Sequence, residues 1–196
     1  YESGSGFKDA FTKILGEAPI RTKYCNLLKS AWIDSKLGPV LAISDDKFLY
    51  LLEFVERRGL ESEIERLRIK MRSNIIPGRT DPIDFIEKEL RLYFDGKLQD
   101  FKTPIKVMGS AFQQTVWNEL QKIPYGQTRS YADIAKSIGR PTAFRAVAQA
   151  NGTNQLAIII PCHRVINSNG GLGGYAGKIV RKKWMLDFEK TNLIKN

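Results

Sequence analysis

The sequence predicts an α+β chain in two parts: a front part with a small antiparallel sheet, and a mostly helical back part. Three observations carry this reading. Residues 24–55 hold three short runs rich in apolar, β-branched and aromatic residues, separated by turn signals. Segments on either side of these runs repeat apolar residues at helical spacing. The charge is also divided. Residues 1–100 hold 17 Lys+Arg and 17 Asp+Glu, whereas residues 101–196 hold 14 and 4, so the whole net charge of +10 lies in the back part.

The elements follow in order. In YESGSGFKDAFTKILG, Phe7, Phe11, Ile14 and Leu15 fall at helical spacing, which predicts a short helix from Ser5 to Leu15. Gly16 and the Ala18-Pro19 step end it. YCNLLKSAWID (24–34), GPVLAIS (38–44) and FLYLLEFV (48–55) read as strands, with turns at Gly38-Pro39 and Asp45-Asp46. LESEIERLRIKMR (60–72) is a charged amphipathic helix, and Pro77-Gly78 stops anything further. In 82–94, Phe85, Ile86, Leu90 and Tyr93 share one helical face. A short strand over Ile105–Val107 follows Pro104. Ser110 caps a helix through Leu120 that carries Phe112, Val116 and Trp117 on one face. After the Pro124–Gly126 turn, SYADIAKSI (130–138) starts on Ser130 with Asp133 three residues on, an acidic form of the capping box. Gly139 ends that helix, and Pro141 opens the next, TAFRAVAQAN (142–151). Leu156–Ile160 reads as a buried strand running into Pro161. Residues 167–177 hold five glycines and form a loop, and 179–189 form the last helix.

Several classes are excluded. No apolar run exceeds five residues, against the ~20 a membrane-spanning helix needs, so no membrane partner is expected. Two cysteines and one histidine cannot build a disulfide framework and leave no Cys/His zinc site. The chain starts at Tyr1 rather than Met, which reads as a beginning inside a longer product, and no signal peptide is visible. An intracellular setting, cytoplasmic or nuclear, is expected. A basic part joined to a neutral one is the footprint of a polyanion-binding unit, and a short helix, glycine turn and second short helix within it form a helix-turn-helix pattern. Many such hairpins bind nothing, so that pattern alone decides little.

The only histidine, His163, adjoins one of the two cysteines, Cys162, in Pro161-Cys162-His163-Arg164. A cysteine is a strong nucleophile only as thiolate, and a neighbouring base or cation brings that form within reach. A Cys-His pair taken at random is more often a packed structural pair. Its place after a buried run, the glycine-rich loop that follows and the uncompensated positive charge favour chemistry.

IPCHRV (160–165) resembles the active-site motif of the O6-alkylguanine-DNA alkyltransferases. GSAFQQTVWNEL (109–120), IPYGQTRSYADIA (123–135), FRAVAQANGTN (144–154) and GGYAGKIVRKKWML (173–186) continue the likeness in one uninterrupted register. The resemblance implies a ribonuclease-H-like α/β domain over 24–107 and a winged-helix-like alkyltransferase domain over 108–196. Residues 1–23 resemble the tail of an AraC-type helix-turn-helix domain, as in the adaptive-response (Ada-type) methyltransferases.

By resemblance, the reaction is an irreversible, single-turnover transfer of an alkyl group from O6 of guanine, and from O4-methylthymine, to Cys162. The substrate is double-stranded DNA, the protein acts as a monomer, and no cofactor is needed. His163 activates the thiol through a bridging water, held by Glu189, and Asn154 braces the turn before the active site. Tyr131 protonates the leaving base. The base pocket is implied to include Tyr131, Val165, Tyr175, Ala176 and Gly177. Arg145 fills the stack vacated by the flipped base, and Ala143 and Ala146 let its helix approach the groove. Arg140, Thr142 and Ser168 are implied phosphate contacts. Two other readings compete on the residues alone: a non-enzymatic DNA-binding or transcription-regulatory fragment, and a cysteine hydrolase that turns over repeatedly.

Overall fold

The computed structural model describes residues 26–193; the predicted Ser5–Leu15 helix and the regulatory-domain remnant over 1–23 lie outside the described residues. Strands β1 (Asn26–Ile33), β2 (Val40–Ser44) and β3 (Leu49–Phe54) come first. Helix α1 (Leu60–Met71), strand β4 (Ser73–Pro77) and helix α2 (Asp81–Phe94) follow. The sheet order is β3-β2-β1-β4. β1–β2 and β2–β3 are antiparallel, but β4 runs parallel to β1 from Asn26↔Ser73 to Ser30↔Pro77. The sheet is therefore mixed, not antiparallel as the sequence predicted. The cause is α1: a parallel neighbour needs a long crossover, and this helix carries the chain back to the starting end of β1. Pro77 is tolerated because β4 is an edge strand.

Both faces of the sheet are buried. Leu41, Ile43 and Leu51 pack against Leu60, Ile64 and Leu67 of α1. Val40, Ala42 and Leu52 face Ile83, Ile86 and Leu90 of α2, in a core that continues unbroken to Val116, Trp117, Val147 and Cys162. The outer edge of β3 is covered by two short segments. Leu49 bridges Ile105 and Leu52 bridges Leu156, each through a pair of backbone hydrogen bonds of 2.8–2.9 Å.

The predicted strand over Leu156–Ile160 is not one. Leu156 makes its single bridge, then the chain coils. Ile158 adopts φ 71°, rare for a β-branched residue, and the Ile160 amide bonds back to the Leu156 carbonyl at 3.0 Å. The run is buried as expected but folds into a tight turn, because the Asn154 amide bonds the Leu156 and Ile160 carbonyls together.

The remaining elements are α3 (Ala111–Leu120), β5 (Arg129–Ser130), α4 (Tyr131–Ser137), α5 (Phe144–Gly152), a 3-10 turn (Cys162–Arg164), β6 (Val165–Ile166) and α6 (Ile179–Leu193). Full capping boxes open α3 on Ser110/Gln113 and α4 on Ser130/Asp133. β5 pairs with β6 in parallel, Arg129 opposite Val165, which ties the start of α4 to the chain just after Cys162. α5 starts at Phe144, two residues later than predicted; Thr142 lies in the preceding turn, and Ala143 holds the N-cap position without a side-chain hydrogen bond. No described helix is long and apolar enough to cross a membrane.

Candidate active site

A cavity of about 410 Å³ opens over Cys162. Its wall includes Tyr131 at the start of α4, Asn151 and Asn154 near the end of α5, and Tyr175, Ala176 and Gly177 of the glycine-rich loop. The exposed Phe144 and Arg145 stand at its mouth. The volume lies within the ~300–1,000 Å³ typical of small-molecule pockets. Gly177 is closely hemmed in: a Cβ there would lie 2.8 Å from the Tyr175 ring and 2.9 Å from Phe54.

Cys162 is 5% exposed. Asn154 Nδ2 donates to its sulfur at 3.1 Å, and Asn151 Nδ2 donates to its carbonyl at 3.3 Å. Burial pushes the thiol up to about 11. The Asn154 hydrogen bond opposes that rise, Glu53 adds to it, and Arg57 and Lys182 work against it. The resting group at pH 7 is therefore a thiol. Tyr131 and Tyr175 are both raised, first by burial and then by the charge of the sulfur.

Behind the cysteine lies a fully buried charge network. Glu189 of α6 is 0% exposed and accepts five hydrogen bonds. His163 Nε2 (2.9 Å), Arg164 Nη2 (3.0 Å) and the Tyr93 hydroxyl (2.8 Å) reach Oε1, and Arg164 Nε (2.9 Å) and the Gly126 amide (3.0 Å) reach Oε2. Burial alone would raise the Glu189 carboxyl, but the bonds and charges of His163 and Arg164 outweigh it and bring the group to about 2. A carboxylate can only accept, so His163 carries its proton on Nε2. Its Nδ1 is left as a lone-pair nitrogen that bonds no protein group among the described residues. Burial lowers the imidazole, against the pull of Glu189, and keeps it neutral at pH 7.

The first residues after Pro161, Cys162–Arg164, form a 3-10 turn. Cys162 and His163 are both buried, and His163 turns to Glu189 rather than lining the cavity. Val165 is also absent from the cavity wall. It is fully buried, and its carbonyl accepts from Lys182 Nζ at 2.5 Å. Cys162, Asn154, Tyr131, Tyr175, Ala176, Gly177 and Arg145 do converge on one cavity. Ala146, Thr142 and Arg140 are exposed along α5 and the turn before it, and the Arg140 guanidinium lies over the Phe112 ring at 5.5 Å. Ser168 is exposed in a separate open depression shared with Arg129, Ala132 and Lys136.

Sequence reasoning missed Glu53, Asn151, Arg164 and Lys182. Lys182 was legible: with Met185 and Glu189 it forms the buried stripe of α6 at helical spacing, and a lysine on such a stripe needs a partner. Burial holds it down at about 8.

Residues 111–191 match the family model described as "6-O-methylguanine DNA methyltransferase, DNA binding domain". The methylated-DNA--protein-cysteine methyltransferase of Methanosarcina barkeri is 41% identical over 170 residues, which cover 82% of this chain and 96% of that protein. The chain belongs to the methylated-DNA--protein-cysteine methyltransferase family. The inducible family member of Bacillus subtilis is 41% identical over 135 residues, 69% of this chain and 75% of that protein. The crystal structure of Mycobacterium tuberculosis OGT in complex with DNA superposes with a TM-score of 0.71 at 38% identity, over 85% of this chain and 94% of that one. These methyltransferase relatives do not favour the reading of a non-enzymatic DNA-binding fragment.

Proposed function

We propose that this chain repairs DNA by taking the alkyl group from O6 of a guanine, or from O4 of a methylated thymine, onto the Cys162 sulfur. The sulfur attacks the alkyl carbon, the carbon–sulfur bond forms, and the carbon–oxygen bond breaks with its electron pair passing into the base. His163 Nδ1 takes the thiol proton through a bridging water. Glu189 holds the ring in the tautomer that leaves this nitrogen free and stabilises the imidazolium that results. Tyr131, at the cavity wall, gives a proton to the departing base and regains one from water, while the His163 imidazolium releases the thiol proton to water, so the net proton passes from the thiol to the base. The thioether has no good leaving group, so each chain acts once.

The observation that carries this reading is a cysteine held at the wall of a purine-sized cavity by Asn154, with a neutral histidine–glutamate pair directly behind it. A resting thiol suits such a protein, because it guards a single-use sulfur against stray electrophiles until a substrate fills the pocket. A base must leave the duplex to reach a thiol this buried, at a cost of a few kcal/mol of stacking and pairing. Arg145, exposed at the mouth, occupies the vacated place. Ala143 and Ala146 allow α5 to approach the groove, and Arg140, Thr142 and Ser168 contact phosphates. The Tyr175–Gly177 loop closes on the base, with Val165 acting only through its backbone.

The sheet order and the crossover to a parallel β4 support a ribonuclease-H-like reading of residues 24–107. The β5–β6 pair beside the α4–α5 hairpin supports a winged-helix-like reading of residues 108–196. All the groups invoked come from one chain, which supports a monomer.

The test is intact-protein mass after exposure to an excess of O6-methylguanine duplex. One methyl group per chain, mapped to Cys162 and absent in Cys162→Ser, is expected. An unmodified Cys162 in a folded, reduced sample overturns the reading, and repeated turnover would point to a hydrolase instead.

A further inference from the structure

The reaction above leaves unused a buried ionic cluster from the front part of the chain. Glu53 is the next-to-last residue of β3, Arg57 lies in the connection after it, and Glu63 sits in the first turn of α1; they are 3%, 6% and 4% exposed. The Arg57 guanidinium makes close contact with Glu63 through Nη1 and stands 3.4 Å from Glu53 Oε1. Its Nη2 donates to the Gly152 carbonyl at the end of α5, at 2.9 Å. Two buried carboxylates thus share one guanidinium. A second buried anion without its own counter-ion is costly, and such a group takes up a proton instead. Burial raises both carboxyls, but Glu63 has the closer contact, with Arg66 also 4.0 Å from it, so Glu53 is the one with the weaker counter-ion and the better claim to the proton. Glu53 also forms part of the wall of the Cys162 cavity.

We propose that Glu53 is a further residue of the alkyl-transfer site, a pocket carboxyl whose charge sets the reactivity of the Cys162 sulfur, that Arg57 positions it, and that Glu63, by engaging the guanidinium, keeps it neutral. The inference rests on the alkyl-transfer reading. Forming a thiolate beside a carboxylate is opposed by Coulomb repulsion, and forming it beside a neutral carboxyl is not. Burial pushes Glu53 up to about 8, Arg57 pulls it back and Glu63 adds to the rise, so the pocket loses its neutral carboxyl just above physiological pH. The other groups that act on this sulfur are Asn154, Arg57, Lys182 of α6, Tyr131 of α4 and Tyr175 of the glycine loop, with His163 next to it in the chain. Lys182 also titrates at about 8 and favours the thiolate while charged. The wild-type pH profile therefore sums two opposed effects, and only variants separate them.

The experiment measures the second-order rate of Cys162 benzylation by free O6-benzylguanine, read by intact mass from pH 6.5 to 9.5, for wild type, Glu53→Gln and Glu63→Gln. Glutamine can still accept the Phe54 amide bond that Glu53 takes at 3.2 Å. The ratio of E53Q to wild-type rates is expected to grow by about threefold between pH 7 and pH 9, half a pKa unit of the thiol. E63Q frees Arg57 for Glu53, moves the negative charge to the pocket side, and slows the reaction at pH 7 by a similar factor. The opposite signs distinguish an electrostatic role from damage to the fold. Ratios that stay constant with pH in both variants overturn the proposal, and if E53Q is not folded the E63Q arm decides alone. Failure of the same wild-type sample to be methylated on Cys162 by O6-methylguanine duplex would instead overturn the alkyl-transfer reading; if methyl but not benzyl is taken up, the three proteins are compared with that duplex as the donor.

Discussion

Glu189 shows how one side chain can serve both chemistry and stability. Its carboxylate gathers a histidine, an arginine, a tyrosine and a backbone amide from three parts of the chain. Removing one partner of a buried ion pair costs about 3–5 kcal/mol, because the other charge is left without a counter-ion. Glu189→Gln therefore lowers the melting temperature at pH 7 and slows alkyl transfer, since His163 loses the acceptor that fixes its tautomer. The pH dependence carries a sharper signature. The folded group sits at about 2 against an unfolded 4.5, so its stabilisation is fully present above 4.5 and is lost as the pH falls through 2. His163 acts in the same direction at higher pH, because its lowered folded value makes the folded state resist a proton that the unfolded chain accepts below 6.5. Melting scans from pH 7 to 2 should show E189Q converging on wild type below pH 4.5. A constant gap down to pH 2 would mean that the carboxylate is not what stabilises this network.

At the scale of elements, the helices were legible and the strands were legible only in part. The Ser110 cap, the Ser130/Asp133 capping box, the Gly139 stop and the α4–α5 hairpin follow from local chemistry that the sequence displays directly. β4 was not visible, because SNIIP holds only two aliphatic residues and acquires its partner from β1, more than forty residues earlier. The Leu156–Ile160 run looked like a strand because burial and strand composition give the same signal. What bends it is Asn154, whose amide reaches residues two and six positions on. The same amide touches the Cys162 sulfur, so the turn that misled the secondary-structure reading is the one that builds the site. α5 then presents its two faces to different tasks. Val147 and Ala150 lock it into the core, while Arg145 and Ala146 remain exposed. A substitution on the exposed face should therefore separate DNA engagement from chemistry. Arg145→Ala is expected to slow repair of O6-methylguanine in duplex by at least about tenfold, as when ~1.4 kcal/mol of flipped-state stabilisation is lost, while reaction with free O6-benzylguanine changes by less than about twofold. Equal losses in the two assays would remove Arg145 from the flipping step.

Over the whole molecule the division of charge sets how the protein meets DNA. The front part is electrically balanced and the back part holds all the excess, so any attraction to a polyanion is confined to the helical half and its exposed cations. Not every cation there is available. Arg129 is engaged by Glu119 at 2.8 Å, Arg164 is buried against Glu189, and Arg181 reaches back to Glu56 at 3.0 Å. Lys136, Arg140 and Arg145 are exposed on α4, the turn after it and α5, the elements that border the cavity. Each phosphate that a cation neutralises releases condensed counter-ions, and log K falls with log salt at about −0.9 per contact. Three contacts give a slope of about −3, modest beside strongly sequence-specific binders. Binding of undamaged duplex, measured by fluorescence anisotropy from 50 to 300 mM salt, should show that slope with little dependence on sequence. Arg140→Ala should reduce it by about one, and a charge-removing change in the front part, such as Lys47→Ala, should leave it alone. The rate of Cys162 modification by free O6-benzylguanine, an uncharged substrate in a buried cavity, should be nearly flat over the same range. A salt-independent affinity for duplex would mean that the charge asymmetry has no part in recognition, and a strong sequence preference would bring back the regulatory-fragment reading.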